Sequence, residues 1–218
     1  MSKITLDKPI LLCLYGFPGS GKSYVARNLS SSLSVAHLNA DRLRSELFSK
    51  PRFDSKEDAI ILHLMIYMAQ EFLSAGLGVV FDANLPRVNQ RKRLRDLAKK
   101  HKAEFLIIWL QIDQETSFAR TQTRDKRTAD DRYSQVYTTE SYADDVANMQ
   151  QPVEEQYMVI SGKHSFDTQK NAVIYKLFQL KVITGETVRE NITRPDLINL
   201  VPHTSPTHSD NSRNIFVE

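Results

Sequence analysis

Short runs of apolar residues alternate along the chain with longer stretches in which apolar positions recur at helical spacing. The runs Ile10 to Tyr15, Val35 to Asn39, Val79 to Phe81, Phe105 to Gln111 and Met158 to Ile160 predict strands. Strands separated by helical stretches point to βα repeats, so the pattern predicts an α/β domain built on a small, doubly wound, five-stranded parallel sheet. A helix is expected from Lys22, with Val25, Ala26 and Leu29 on one face. A second begins at Ser55, where Asp58 completes a capping box, and continues through Ile60, Ile61, Leu64, Met65 and Met68. It is apolar on most sides, which predicts burial in the domain or in a dimer, with His63 packed in the core. A third helix, about Asn89 to His101, is strongly basic, and a fourth runs from an N-cap at Asp113 through Arg124.

From Ile183 onward the pattern lapses. Thr, Asn, Pro, Ser and His accumulate, and three of the eight prolines fall here. The expectation is one domain over 1–182 and a flexible tail over 183–218, ending in the apolar triplet Ile215-Phe216-Val217. No apolar run approaches the roughly 18 residues needed to cross a bilayer, and the longest, Ala59 to Ala69, is interrupted by His63. The start, Met1 to Lys8, carries Lys3, Asp7 and Lys8 and leads into Gly16 rather than a small-residue cleavage site. A cytoplasmic protein without a membrane partner is therefore expected.

Composition sharpens this picture at two points. The single cysteine, Cys13, excludes an internal disulfide and a cysteine zinc site, and its apolar surroundings predict a small core residue. Glycine is scarce, seven in 218 residues, yet Gly16, Gly19 and Gly21 fall within six positions. Such a concentration marks a place that needs unusual backbone geometry. There the chain reads Gly16-Phe17-Pro18-Gly19-Ser20-Gly21-Lys22-Ser23, a full match to G-x-x-x-x-G-K-S between an expected strand and an expected helix. In that context backbone N–H groups turn inward around phosphate oxygens and the helix N-terminus adds partial positive charge. Lys22 would reach the β- and γ-phosphates, and the Ser23 hydroxyl would ligate Mg²⁺. The chain is thus expected to bind a nucleoside triphosphate.

Candidate chemistry also gathers after the other strands, because ligands of parallel sheets collect at strand carboxyl ends. Asp41 and Arg44, three apart at a helix start, can face one side. Asp41 either caps the helix or accepts a hydroxyl proton, and Arg44 could hold an anionic acceptor. Asp82, in Phe81-Asp82-Ala83-Asn84, could hold a Mg²⁺-bound water or orient Arg44. Arg120 and Arg124 share a helix face, with Arg127 one turn on, a placement suited to a lid over phosphates. The segment 87–102 holds eight Lys or Arg, a track that could follow a nucleic-acid backbone or simply be a solvated helix face, although the whole chain carries only a net +3.

The loop Gly16 to Ser23, Asp41-x-x-Arg44, Asp82-Ala83-Asn84 and Arg120-x-x-x-Arg124, in this order and spacing, resemble the P-loop kinases related to polynucleotide 5′-hydroxyl kinases. That wider group includes zeta-toxin-like, gluconate and antibiotic kinases, and Gln151 to Glu155 is similar to it as well. The resemblance covers roughly residues 8–180. It implies a P-loop NTPase three-layer sandwich with an arginine-bearing lid, using ATP and Mg²⁺. It also implies Lys22, Asp41 and Arg124 as catalytic, with Asp41 as general base. Gly16, Phe17, Pro18, Gly19, Ser20, Gly21, Lys22, Ser23, Arg120 and Arg124 would hold ATP, and Arg44, Asp82 and Asn84 the acceptor side. The favoured reading is γ-phosphoryl transfer to a polynucleotide 5′-hydroxyl. A small-molecule kinase acting on a sugar, nucleotide sugar or antibiotic, and an ATP-gated binding module, are the alternatives.

Overall fold

In the computed structural model, which describes residues 3–128 and 131–186, five strands form one parallel sheet in the order β2-β3-β1-β4-β5. The strands are β1 (Ile10–Tyr15), β2 (Val35–Asn39), β3 (Gly78–Asp82), β4 (Glu104–Gln111) and β5 (Tyr157–Ser161). Each expected strand is present within one residue of its expected ends. The expected tail begins at Ile183, but Ile183 is buried with Val182 in the core; residues 187–218 lie outside the described part of the chain.

Alternation along β1 divides the core in two. Ile10, Leu12 and Leu14 face α1 (Lys22–Ser32) and α7 (Phe166–Gln179), meeting Val25, Ala26, Leu29, Val173, Ile174 and Leu177. Leu11, Cys13 and Tyr15 face α3 (Ser55–Ser74) and α4 (Val88–Lys100). Cys13 is a core residue as expected, and burial pushes its thiol up to about 12.

Helix α3 departs from its expectation. Its buried stripe is Ile61, Met65, Ala69 and Leu73, spaced by four, while Ile60 and Tyr67 are more than half exposed and His63 is exposed rather than packed. Apolar composition on several faces exceeded the one face the sheet can cover. Its N-cap is Asp54, not Ser55: the Asp54 carboxylate accepts from the N–H groups of Lys56 and Glu57. By contrast Asp113 caps α5 (Gln114–Gln122) as expected, though the helix ends before Arg124. Helix α2 (Ala40–Leu47) stands where a helix start is expected at Asp41, whereas α6 (Thr139–Ala147) and α7 are not among the expected helices. Helix α6 is short, so few apolar repeats announce it. Among the described residues no helix is long and apolar enough to cross a membrane.

Candidate active site

The carboxyl ends of β1 and β3 and the segments that follow them open into a cavity of about 680 Å³. On one side stands the glycine turn between β1 and α1. Gly16 has φ +146°, and a Cβ there would lie 2.5 Å from the Leu110 carbonyl oxygen. Gly19 has φ +83°, and its Cβ would lie 2.2 Å from the Ser117 carbonyl oxygen. Side chains are excluded twice over, by conformation and by space. Gly21 is the N-cap of α1 and offers no capping side chain, so the first N–H groups of that helix are left for an anion. From behind, Ser117 Oγ donates to the Pro18 carbonyl at 2.5 Å and receives a hydrogen bond from Tyr142 at 3.1 Å, which ties the turn to α5 and α6.

Lys22 Nζ donates to the carbonyls of Gly16 and Phe17 at 2.8 and 2.9 Å. Burial lowers its pKa to about 8, while the nearby carboxylate of Asp82 pulls the other way. A phosphate would supply the counter-charge this ammonium lacks. Pro18 to Ser23 line the cavity, whereas Gly16 and Phe17 line a separate depression behind the turn.

At the end of β3, Asp82 is buried and fully engaged. Ser23 Oγ donates to one carboxylate oxygen at 3.2 Å; Asn39 Nδ2 donates to the other at 2.5 Å, with His37 Nε2 3.1 Å away. It does not reach Arg44, which corrects one of its expected roles. A serine hydroxyl beside a carboxylate, both hard oxygen donors next to a phosphate-binding turn, fits Mg²⁺, which takes one or two protein oxygens and fills its shell from phosphates and water. No cluster of three or more His, Cys, Asp or Glu suited to a metal occurs among the described residues, so an all-protein cage is not the alternative.

Facing the turn is α2, and here the structure separates the two readings of Asp41. The cap is Asn39, whose side-chain oxygen accepts from the N–H of Arg42 at 2.7 Å. Asp41 is partly buried, lines the cavity and has neither an ion pair nor a hydrogen bond among the described residues. Burial raises its carboxyl pKa to about 6, with the charge of Asp82 adding to the effect and Arg124, Arg44 and Lys22 opposing it.

Arg44 lines the cavity with its two terminal nitrogens already engaged. Its two terminal nitrogens donate to Glu57 at 3.1 Å and Asp58 at 2.5 Å, and its guanidinium packs 4.8 Å from the centre of the Phe53 ring. Glu57 also accepts from the N–H groups of Arg52 and Phe53. Arg44, expected to hold an anionic acceptor, is thus already paired with two carboxylates, while its Nε is buried without a hydrogen-bond partner among the described residues. Asp58 and Glu57 carry no sequence pattern that announces this pairing.

Beyond α5, Arg124 donates to the Gln135 carbonyl at 2.7 Å, lies 3.7 Å from Asp131 and stacks 5.7 Å from the centre of the Tyr137 ring. Arg120 is exposed and donates to the Gly162 carbonyl at 3.0 Å. Both line the cavity; Arg127 does not, and pairs with Asp125 on the surface. Asn84 is exposed and reaches Asp145 at 3.5 Å, and Asp145 accepts from the Tyr137 hydroxyl at 2.9 Å. Burial raises the pKa of both Asp145 and Tyr137. Asp145 and Tyr137 were missed because they meet the other site residues only across the fold.

The basic track of α4 does not enter the cavity, to which that helix contributes Gln90 alone. Arg91, fully buried, pairs with Glu155 at 2.7 Å and donates to the carbonyls of Leu85, Pro86 and Gln150. One of the eight basic residues thus fastens the end of β3 to the segment before β5.

Comparison with known proteins agrees with this geometry. Residues 11–145 match the family described as an AAA domain. Over 107 residues the chain is 28% identical to a sulfate adenylyltransferase of Gibberella zeae, a stretch that makes up 46% of this chain and 19% of that protein. The chain therefore spans about a fifth of the length of that relative. Among solved structures, the Mycobacterium tuberculosis APS kinase CysC, in complex with AMPPNP and APS, superposes with a TM-score of 0.59 at 21% identity, covering 78% of this chain and 98% of that one. A gluconokinase from Sinorhizobium meliloti 1021 gives 0.59 at 14% identity, with coverages of 79% and 94%. Chaetomium thermophilum Kti12 in complex with ADP-AlF3 gives 0.59 at 17% identity, with coverages of 80% and 100%. The fold is that of the P-loop NTPase kinases.

Proposed function

The chain belongs to the AAA domain family, and from that premise we propose that it is an ATP-dependent kinase transferring the γ-phosphoryl group to a hydroxyl of a small molecule. The observation that carries this reading is Asp41: a carboxylate relieved of capping by Asn39, without a hydrogen-bond or ion-pair partner among the described residues, raised to about 6 and open to the same cavity as the phosphate-binding turn. A general base works best with a pKa near the working pH and within reach of the proton it removes.

In this mechanism the turn and the α1 N-terminus hold the β- and γ-phosphates, with Lys22 among their oxygens. Ser23 and Asp82 would hold Mg²⁺, which when bound neutralises phosphate charge. Arg120 and Arg124 face the phosphates from the lid side. The acceptor oxygen forms a bond to the γ-phosphorus as its proton passes to the Asp41 carboxylate. The bond from that phosphorus to the β–γ bridging oxygen breaks, and ADP leaves.

A small acceptor is supported over the polynucleotide 5′-hydroxyl by three features. The cavity, within the usual ~300–1,000 Å³ of small-molecule sites, must hold triphosphate and acceptor together. The basic face of α4 lies outside it, and Arg44 is already ion-paired. Two of the structural neighbours, a gluconokinase and an APS kinase, carry small acceptors in their names. The test is transfer from γ-labelled ATP with Mg²⁺, offered a metabolite pool and a 5′-hydroxyl oligonucleotide in parallel. Label is expected in small molecules and is lost in Asp41→Asn. Label confined to the oligonucleotide would reinstate the polynucleotide acceptor, and ATP binding with no transfer at all would leave the nucleotide-gated module.

A further inference from the structure

The two ends of the cavity differ in sign. Around the phosphate-binding turn the lining charges are Lys22, Arg120, Arg124 and Lys163 with Asp82 and Asp131, a net of two positive charges. Toward α2, α3 and α6 the lining charges are Asp41, Asp58, Asp145 and Arg44. Arg44 is the only cation of that set, and it is buried with both terminal nitrogens on carboxylates, Glu57 behind the wall and Asp58 at its surface. Counting Glu57, four carboxylates thus stand against one guanidinium, which contacts two of them. Neither Asp41 nor Asp145 has an ion-pair partner among the described residues, and Asp58 is largely exposed to the cavity side of its pair with Arg44.

Resting on the kinase reading above, we propose that the acceptor is an aminated polyol, an amino sugar or aminocyclitol in chemical class, whose ammonium lies between Asp58 and Asp145 while a neighbouring hydroxyl faces Asp41. Carboxylates accept and cannot donate, so this wall calls for a ligand rich in O–H and N–H donors. The Tyr137 hydroxyl, a donor that could have served a phosphate or carboxylate, is engaged by Asp145. An anionic acceptor would have to compete with Glu57 and Asp58 for Arg44, and Glu57, whose side chain is 2% exposed, would keep only Arg52 and the backbone N–H groups of Arg52 and Phe53. Asp58 adds to the upward shift of the Asp145 pKa, a like-charge contact that a cation between them would relieve. Ile61, Leu62 and Leu85 supply an apolar surface for the carbon skeleton.

The experiment resolves a metabolite pool by ion exchange into cationic, neutral and anionic fractions and offers each to the full chain with γ-labelled ATP. Label in the cationic fraction is the expected result. Label confined to the neutral or anionic fraction overturns the aminated acceptor and leaves the kinase reading standing; no label in any fraction overturns both. On the labelled cationic acceptor, Asp145→Asn should raise KM by about tenfold with kcat much less affected, as for the loss of one charge-assisted hydrogen bond. An unchanged KM would count against the proposal. Should that variant fail to fold, the wild-type chain answers the same question: KM for the cationic acceptor should rise with ionic strength, and a KM indifferent to salt would overturn the placement.

Discussion

The phosphate-binding turn and the wall that faces it across the cavity hold charge by different means. The turn uses the backbone of eight consecutive residues, Gly16 to Ser23, shaped by positive φ angles and by carbonyls that leave no room for a Cβ. The wall uses side chains drawn from α2, α3, the end of β3 and α6, with Asp41 and Asp145 more than a hundred positions apart in the chain. Backbone geometry written into consecutive residues tolerates little change. A wall of side chains can be re-cut one residue at a time, which is how one fold can serve many acceptors.

The largest test of this contrast is Asp41→Asn. Phosphoryl transfer should fall about 10³-fold while ATP affinity holds, read by parallel turnover and nucleotide-binding titrations. A comparable loss of ATP binding would merge the two sides. Next, Arg44→Ala removes the buried cation shared by Glu57 and Asp58, leaving Glu57 with Arg52, and should destabilise the fold by about 3 kcal/mol in denaturant unfolding as two charge-assisted hydrogen bonds are lost. Arg44→Lys should recover only part of this, since an ammonium cannot bridge Glu57 and Asp58 with a planar fork.

A smaller effect is expected on the other side. Gly19→Ala forces a Cβ against the Ser117 carbonyl at φ +83° and should cost about 2 kcal/mol, seen as roughly 30-fold weaker ATP binding or as lost stability. An innocuous Gly19→Ala would break the claim that backbone alone shapes the turn.

The smallest effect is a pH dependence. The Asp41 carboxyl rises from its ordinary 3.8 to about 6 in the fold, so the folded state binds its proton more tightly than the unfolded chain does. Wild-type stability should therefore fall between those two values as pH rises, relative to Asp41→Asn, by about 1 to 2 kcal/mol once solvent screening at this partly exposed carboxyl reduces the ~3 kcal/mol of the full shift, with no further change below the lower value. Activity should run the opposite way, with kcat/KM rising through pH about 6 as the base form appears. Thermal melts of both proteins across pH, beside a wild-type rate profile, check the two signs.

Much of the fold was legible because its signals are local. Five apolar runs yield five strands, and Asp113 caps α5 by a bond to Thr116, three residues on. Helix α3 was misread because its sequence is apolar on faces that nothing covers, and only packing against the sheet selects Ile61, Met65, Ala69 and Leu73. Asp41 could be named but not assigned, since capping and base catalysis ask for the same residue type. Asn39, two positions earlier, takes the cap and so removes that role from Asp41. Arg44 was placed correctly in the cavity, yet its engagement with Glu57 and Asp58 depends on how α2 meets α3.

By itself, then, the sequence determined the phosphate-binding turn, because that device needs only consecutive residues and the φ angles glycine permits. The tertiary structure decided which charges remain available. Asp82 is engaged by Ser23 and Asn39, Arg44 is paired with two carboxylates, and of these three only Asp41 has no such partner among the described residues. Whether a charge is available depends on what lies within about 4 Å of it, and that distance is set by the packing of segments far apart in the chain.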